Sequence, residues 1–333
     1  MYLTDEEAVP EEYIRDILDK DLNLNSLVFY ETELLSWPEM APSRNTLEEL
    51  YLSSCIIDTD LFKDINIGTI LPNLKIFLLR LSEDQPDCSY EDEYDEITGI
   101  VQGVQLPDIS ESNKLQILII SNGHFRFTTS QKGEAPLPQS VETLVLDDVE
   151  FVDGSMKMLT SMCPNLKMLA YKGKDYIWPS SVPAWTLLEV LYLDYKDSHD
   201  AERQDNIFWN VQLHQYLPNL KIFILTNYWE SMLPDMRGCE KLEHVHLTAR
   251  FTTPLDPRRD MPLPKTLRKL TLGATIFFKW ETDEDEIDFG GSELFELMKK
   301  HLPECQILQD HRFGDDPDVT FTFRNPERGP WCC

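Results

Sequence analysis

Two histidines one residue apart, His244 and His246, with Cys239 just upstream, come closest in this chain to a metal-ligating set. On a strand, side chains at i and i+2 leave the same face, so both imidazoles could approach one cation. A structural zinc site needs four such ligands, and no third or fourth is evident. The pair therefore reads as polar surface residues, and no metal is expected. Gly290, Gly291 and Ser292 lack the GxSxG frame of a nucleophile elbow, and neither GxxxxGK nor HExxH occurs. Asp and Glu are too numerous for any one pair to single out acid/base chemistry. The terminal Cys332 and Cys333 could carry prenyl groups, but without a fuller targeting context they read as an unmodified end. Neither an enzyme nor a cofactor is expected.

The elements that would position such residues follow from a repeat. LPNLKIF occurs at Leu71 to Phe77 and again, unchanged, at Leu217 to Phe223, 146 residues later. Aligned on this unit, ten segments carry apolar residues at LxxLxL spacing, from Leu24/Leu27/Phe29 to Leu267/Leu270/Leu272. Seven of the nine gaps between their starts lie between 22 and 27 residues, the period of leucine-rich repeats. Positions four and six of the unit point to one face of a strand, and position one enters the same core from the preceding turn. One such strand buries almost nothing alone, so the strands must stack in parallel into a continuous core. The expected fold is α/β: a leucine-rich-repeat solenoid with a curved parallel sheet on its concave side and helices and extended segments on its convex side. LEELYLSSCII, from Leu47, is the most regular unit, with Cys55 at the ninth position; Gly123 and Val149 stand there in others, which predicts irregular turns.

Charge narrows the partners. Lys and Arg total 30 against 59 Asp and Glu, a formal net charge of −29. That field repels phosphate backbones and anionic headgroups, so neither nucleic acid nor membrane is an expected partner. Seven cysteines without framework spacing read as reduced thiols, and no apolar run reaches 18 residues. The expected location is intracellular, cytoplasmic or nuclear.

Unbroken periodicity argues for a single domain over 1–333, with about ten repeats from 24 to 272, a helix and capping segment at 292–310 and a tail at 311–333. Residues 5–20 read as an acidic-started helix leading into the first strand, as though the chain began inside a solenoid. The stretches from Ser155 and from Asn206 carry helical spacing up to a Pro that ends the helix. Residues 83–96, 194–205 and 281–288 are hydrophilic insertions, the first densely acidic, and read as surface loops. A last helix is expected over 292–301.

LPNLKIF, NTLEELYL and the Pro-containing turns resemble the repeat region of fungal F-box and leucine-rich-repeat proteins. That resemblance implies capture of a protein destined for ubiquitination, with an F-box docking on the ligase adaptor. VPEEYIRDIL, Val9 to Leu18, is similar to the opening of an F-box. The first repeat begins at Leu24, which leaves no room for the remaining helices, so adaptor docking by this chain is not expected. The expected function is a protein interaction module, the substrate-recognition part of an F-box-type ubiquitin ligase or a boxless relative. The alternatives are an enzyme of unrecognised class on a repeat scaffold and a truncated gene product.

The candidate binding residues lie at positions three and five, on the face away from the core. Position five runs Leu78, Ile119, Val145, Ala170, Tyr192, Ile224; position three adds Ile76, Ile117, Met168, Val190 and Ile222. At about 4.8 Å per strand this apolar stripe is about 24 Å wide, and an exposed patch of that size marks an interaction surface unless the chain covers it itself, with an insertion or with the tail at 319–323. Tyr192 is the expected anchor, and the acidic surroundings favour a protein partner with a basic rim. Position two alternates in sign (Glu48, Lys75, Gln116, Glu142, Lys167, Glu189, Lys221, Glu243, Arg268), which predicts ion pairs between neighbouring strands.

Overall fold

Each repeat is set by a turn and a forked hydrogen bond. The turn places apolar or compact residues at its two ends and a Pro-Asn pair between them in LPNL from Leu71, CPNL from Cys163 and LPNL from Leu217. It closes when the fourth residue's N–H donates to the first residue's carbonyl: Leu74 to Leu71, Leu166 to Cys163, Leu220 to Leu217 at 3.1–3.2 Å. Pro in the second place presets φ for such a turn. Beyond it, the N–H groups at positions two and three both donate to the position-two carbonyl of the preceding repeat. Lys167 and Met168 donate in this way to Glu142, and Lys221 and Ile222 to Glu189.

In the computed structural model the described residues are 2–4, 24–34, 37, 44–62, 65–85, 103–109, 111–126, 138–151, 163–173, 185–195, 211–228, 233–249, 262–273, 298–310, 324–325 and 329–330. The strands are β1 (Tyr2–Thr4), β2 (Ser26–Tyr30), β3 (Glu33–Leu34), β4 (Glu49–Ile57), β5 (Ile76–Leu81), β6 (Val104–Gln105), β7 (Ile117–Arg126) and β8 (Thr143–Phe151). They continue with β9 (Met168–Gly173), β10 (Val190–Tyr195), β11 (Ile222–Tyr228), β12 (His244–Ala249), β13 (Lys269–Gly273) and β14 (Gln306–Asp310), and β15 (Arg324–Asn325) pairs antiparallel with β16 (Gly329–Pro330). The main sheet runs β1-β2-β4-β5-β7-β8-β9-β10-β11-β12-β13-β14, with β3 beside β4 and β6 beside β7. Every pairing along that path is parallel. The chain is a parallel β-solenoid with few helices.

All ten LxxLxL segments contribute strands in the expected register. The fourth-position row, Leu27, Leu50, Phe77, Leu118, Leu144, Leu169, Leu191, Phe223, Val245 and Leu270, is nowhere more than 2% exposed. Burying such side chains stabilises by roughly 1.5–3 kcal/mol each, and the stack supplies what no single strand could. Cys163 and Cys239 begin turns and belong to the same core.

The corners differ between repeats, and four of them share one conformation. Glu31, Ser54, Asn122 and Asp148, all in the eighth position, have φ of 51°, 54°, 56° and 55°. This left-handed residue turns the chain over the core whichever side chain follows, and Thr32, Cys55 and Val149 are buried beyond it. In these four repeats the left-handed residue at position eight makes the corner, whereas Leu81, Gly173, Tyr195, Asn227 and Ala249 at the same position do not have that conformation.

The one expected connecting helix that falls partly on described residues does not run through them unbroken. Of the stretch from Asn206, the described helical part is Leu213–Tyr216 (α2), the counterpart of Ile67–Ile70 (α1) exactly one 146-residue offset earlier. Helix cannot extend back from α2 because Val211 and Leu213 are bonded to the next repeat: Asp235 N–H donates to the Val211 carbonyl, and Leu213 N–H to the Asp235 carbonyl, both at 2.8 Å. Asn66 caps α1 by accepting from Thr69 N–H at 2.9 Å. Residues 298–301 are helical, while the rest of the expected last helix, the helices at 5–20 and from Ser155 up to residue 162, most of each insertion, and 319–323 lie outside the described residues.

The two helical turns meet the following repeat through one glycine, placed on opposite sides. A Cβ on Gly68 would lie 2.5 Å from the backbone of Glu111 and Ser112. In the later copy His214 occupies the place of Gly68, and Gly238, in the place of Glu111, leaves room for its ring: a Cβ there would collide with His214 Nδ1. Gly68→Ala, which meets backbone, should destabilise by about 1–3 kcal/mol in chemical denaturation. Gly238→Ala should lose less, because a side chain can move, and adding His214→Ala should recover most of that loss in a double-mutant cycle.

Candidate functional site on the outer sheet face

The strand register decides which outward side chains become neighbours. At position five, Leu78 pairs with Ile119, Ile119 with Val145, Val145 with Ala170, Ala170 with Tyr192 and Tyr192 with Ile224. At position three the row is Ile76, Ile117, Thr143, Met168, Val190, Ile222. All nine candidate residues thus fall on two adjacent rows over six strands. Leu78, Ile117, Ile119, Val145, Met168, Val190, Ile222 and Ile224 are half-buried.

Tyr192 differs from its neighbours. It is 7% exposed, and its hydroxyl donates to Asp194 Oδ2 at 3.1 Å. Ala170, opposite it, is also buried, so the middle of the fifth-position row presents little surface. The ring expected to anchor a partner is instead held within the face, and the apolar surface on offer comes from the isoleucines, Leu78, Val145, Met168 and Val190. Burial first, and then the Asp194 carboxylate, push the phenol pKa up.

Two polar rows bound the apolar ones. The position-two pairs form as expected: Lys75 with Glu48, Lys167 with Glu142 and Lys221 with Glu189 at 2.8 Å, and Arg268 with Glu243 at 3.5 Å. The hydrogen bond from Lys221 is the main cause that lowers the Glu189 pKa. Each pair is well exposed, so solvent screens its attraction and it acts mainly to mark the register. Sequence reasoning missed the other margin at position seven, where Arg80, Ser121, Asp147, Lys172, Asp194 and Thr226 stand in register. Lys172 Nζ lies 3.4 Å from Asp147 Oδ1. Continuing the same alternation by two residues would have found this row.

Beyond Ile224 the fifth-position row passes to His246 and Thr271, and the third to His244 and Lys269, so the histidines end the stripe. His246 Nε2 lies 3.4 Å from Thr248 Oγ1. Cys239 is in the core on the other side of the sheet, where burial pushes its thiol up to about 12. The structure does not bring Cys239 and the histidines together. Among the described residues no group of three or more His, Cys, Asp or Glu could hold a metal ion, and no helix is long and apolar enough to cross a membrane. Comparison with known proteins finds no family model and no curated protein that match this chain.

The raised Tyr192 pKa has a definite sign in stability. A phenol whose folded pKa exceeds its unfolded value of about 10 contributes fully below that pH and loses its contribution as pH rises further. Tyr192→Phe should lower stability by roughly 0.5–1.5 kcal/mol at pH 8 through the lost hydrogen bond. Urea titrations above pH 10 should find the gap between variant and parent narrowing; a constant gap would mean that the folded phenol titrates normally.

Proposed function

We propose that this chain is a protein-binding module of the leucine-rich-repeat class, with the outer face of its parallel sheet as the capture surface. The observation that carries the reading is the pair of adjacent rows over six strands, apolar except for Thr143 and bounded by charged and polar rows at positions two and seven. An apolar centre within a polar margin is the ordinary anatomy of a protein interface. The repeat period and the LPNLKIF, NTLEELYL and turn motifs support the more specific assignment, substrate recognition of an F-box-type ubiquitin ligase or a boxless relative. Residues 9–18, which resemble the opening of an F-box, lie outside the described residues. The net charge of −29 favours a partner basic at its rim and disfavours nucleic acid.

Affinity purification from the native cell, followed by binding of the identified partner to purified variants, tests this. Ile119→Asp combined with Ile224→Asp should weaken that partner by about 2 kcal/mol or more, roughly thirtyfold, while these half-buried sites leave the melting transition nearly unchanged. Raising salt should slow association more than it speeds dissociation, because the acidic field acts by steering. Unchanged affinity in the double variant would move the site off this face.

A further inference from the structure

A second surface lies at the margin where the strands begin, apart from the apolar rows. The turns and position-two residues of successive repeats there enclose an open groove of about 460 Å³, a size that suits a few residues of extended peptide. Across the strands its lining runs from Lys75, just before β5, through Lys114 and Gln116 before β7 and Glu142 before β8, to Lys167 before β9 and Leu187 before β10.

Chemically the groove has two unlike ends. Lys75 is paired with Glu48, and Glu142 with Lys167, so those charges are compensated. Lys114 is different: its ammonium donates to the Asn73 side-chain carbonyl, a neutral partner, and among the described residues no carboxylate pairs with it, which leaves two of its three N–H groups for other acceptors. Beside it stands Gln116, the one uncharged residue in the alternating position-two series from Glu48 to Arg268. The far end is apolar: Leu187 is 42% exposed, one of three large hydrophobic residues so exposed among those described. From Lys114 to Leu187 the groove crosses three strand spacings, about 14 Å, or about four residues of extended chain at 3.3 Å each.

We infer that this groove binds an extended peptide segment carrying a carboxylate side chain at Lys114 and an apolar side chain four residues away at Leu187. The two ends fix the ligand's direction and spacing, and Gln116, beside Lys114, can donate to and accept from a peptide group at that end. Lysine recognises the carboxylate as a point charge without the two-pronged geometry of arginine, so Asp or Glu serves.

The test uses the full chain and two capped pentapeptides, acetyl-Glu-Ala-Ala-Ala-Leu-amide and its reversed sequence, titrated by NMR or calorimetry at about 0.15 M salt, where the net field of −29 is screened beyond about 8 Å. One direction should bind with a Kd near or below about 1 mM, and replacing its Glu by Gln should weaken it about fivefold. Lys114→Gln and Leu187→Ser, both at exposed positions, should each weaken the preferred peptide to a similar extent without moving the melting transition. The inference is overturned if neither direction binds, if the Gln peptide binds as well as the Glu peptide, or if both protein variants bind as the parent does. The apolar rows stay intact in these variants, so loss here leaves the outer-face reading to its own test.

Discussion

One carbonyl per repeat holds the architecture in register. The position-two C=O accepts two N–H groups from the next repeat, and this fork recurs at nine junctions, from Asn25 with Glu48 and Glu49 to Glu243 with Arg268 and Lys269. Because side chains alternate along a strand, fixing its first residue assigns every later one to the core or to the outer face. A slip of one residue would turn Leu191 and Leu193 outward and set either Val190 and Tyr192 or Tyr192 and Asp194 in their place. The four-residue turn before each strand makes the fork reachable, and the packed rows of positions four and six make leaving it costly.

The same alternation explains how the apolar outer rows coexist with a well-formed core. All-parallel sheets are ordinarily covered on both faces, so an apolar second face is normal for the topology and calls for a covering partner where the chain leaves it open. Charged rows at positions two and seven limit the strip's width, and His244, His246, Lys269 and Thr271 end it along the sheet. Tyr192 stiffens its middle: a buried ring with an engaged hydroxyl keeps Asp194 in place beside the apolar rows.

Much of this was legible because periodicity is a strong code. The leucines marked ten strands, and the alternating charges marked the same register independently, each confirmed by burial and by ion-pair distances. What stayed hidden depends on geometry that the pattern does not encode. Counted from the turn closed by Cys305 N–H on the Leu302 carbonyl, Ile307 is third, where other strands point outward. It nevertheless pairs with Leu270 and is 8% exposed, while Leu308 is 37% exposed, so β14 is one residue short and its apolar pair falls out of phase. The shortening of α2 arises from backbone bonds to a neighbouring repeat, and the burial of Tyr192 depends on its surroundings in three dimensions; neither follows from residue spacing. The stripe residues were legible as a set, but not which of them would offer surface.

The reciprocal glycines bear on how such a chain can be inherited. Gly68 accommodates the backbone of Glu111 and Ser112 and Gly238 accommodates His214, so each junction has a bulky and a vacant half, and the halves are reversed between the two copies. A recombination that joined the later helical turn to the earlier neighbour would set an imidazole against the Ser112 backbone; the opposite exchange would leave a hole. An exchange that carries both halves together keeps the fit, which makes a pair of adjacent repeats the unit that can be moved at these junctions without a clash or a hole.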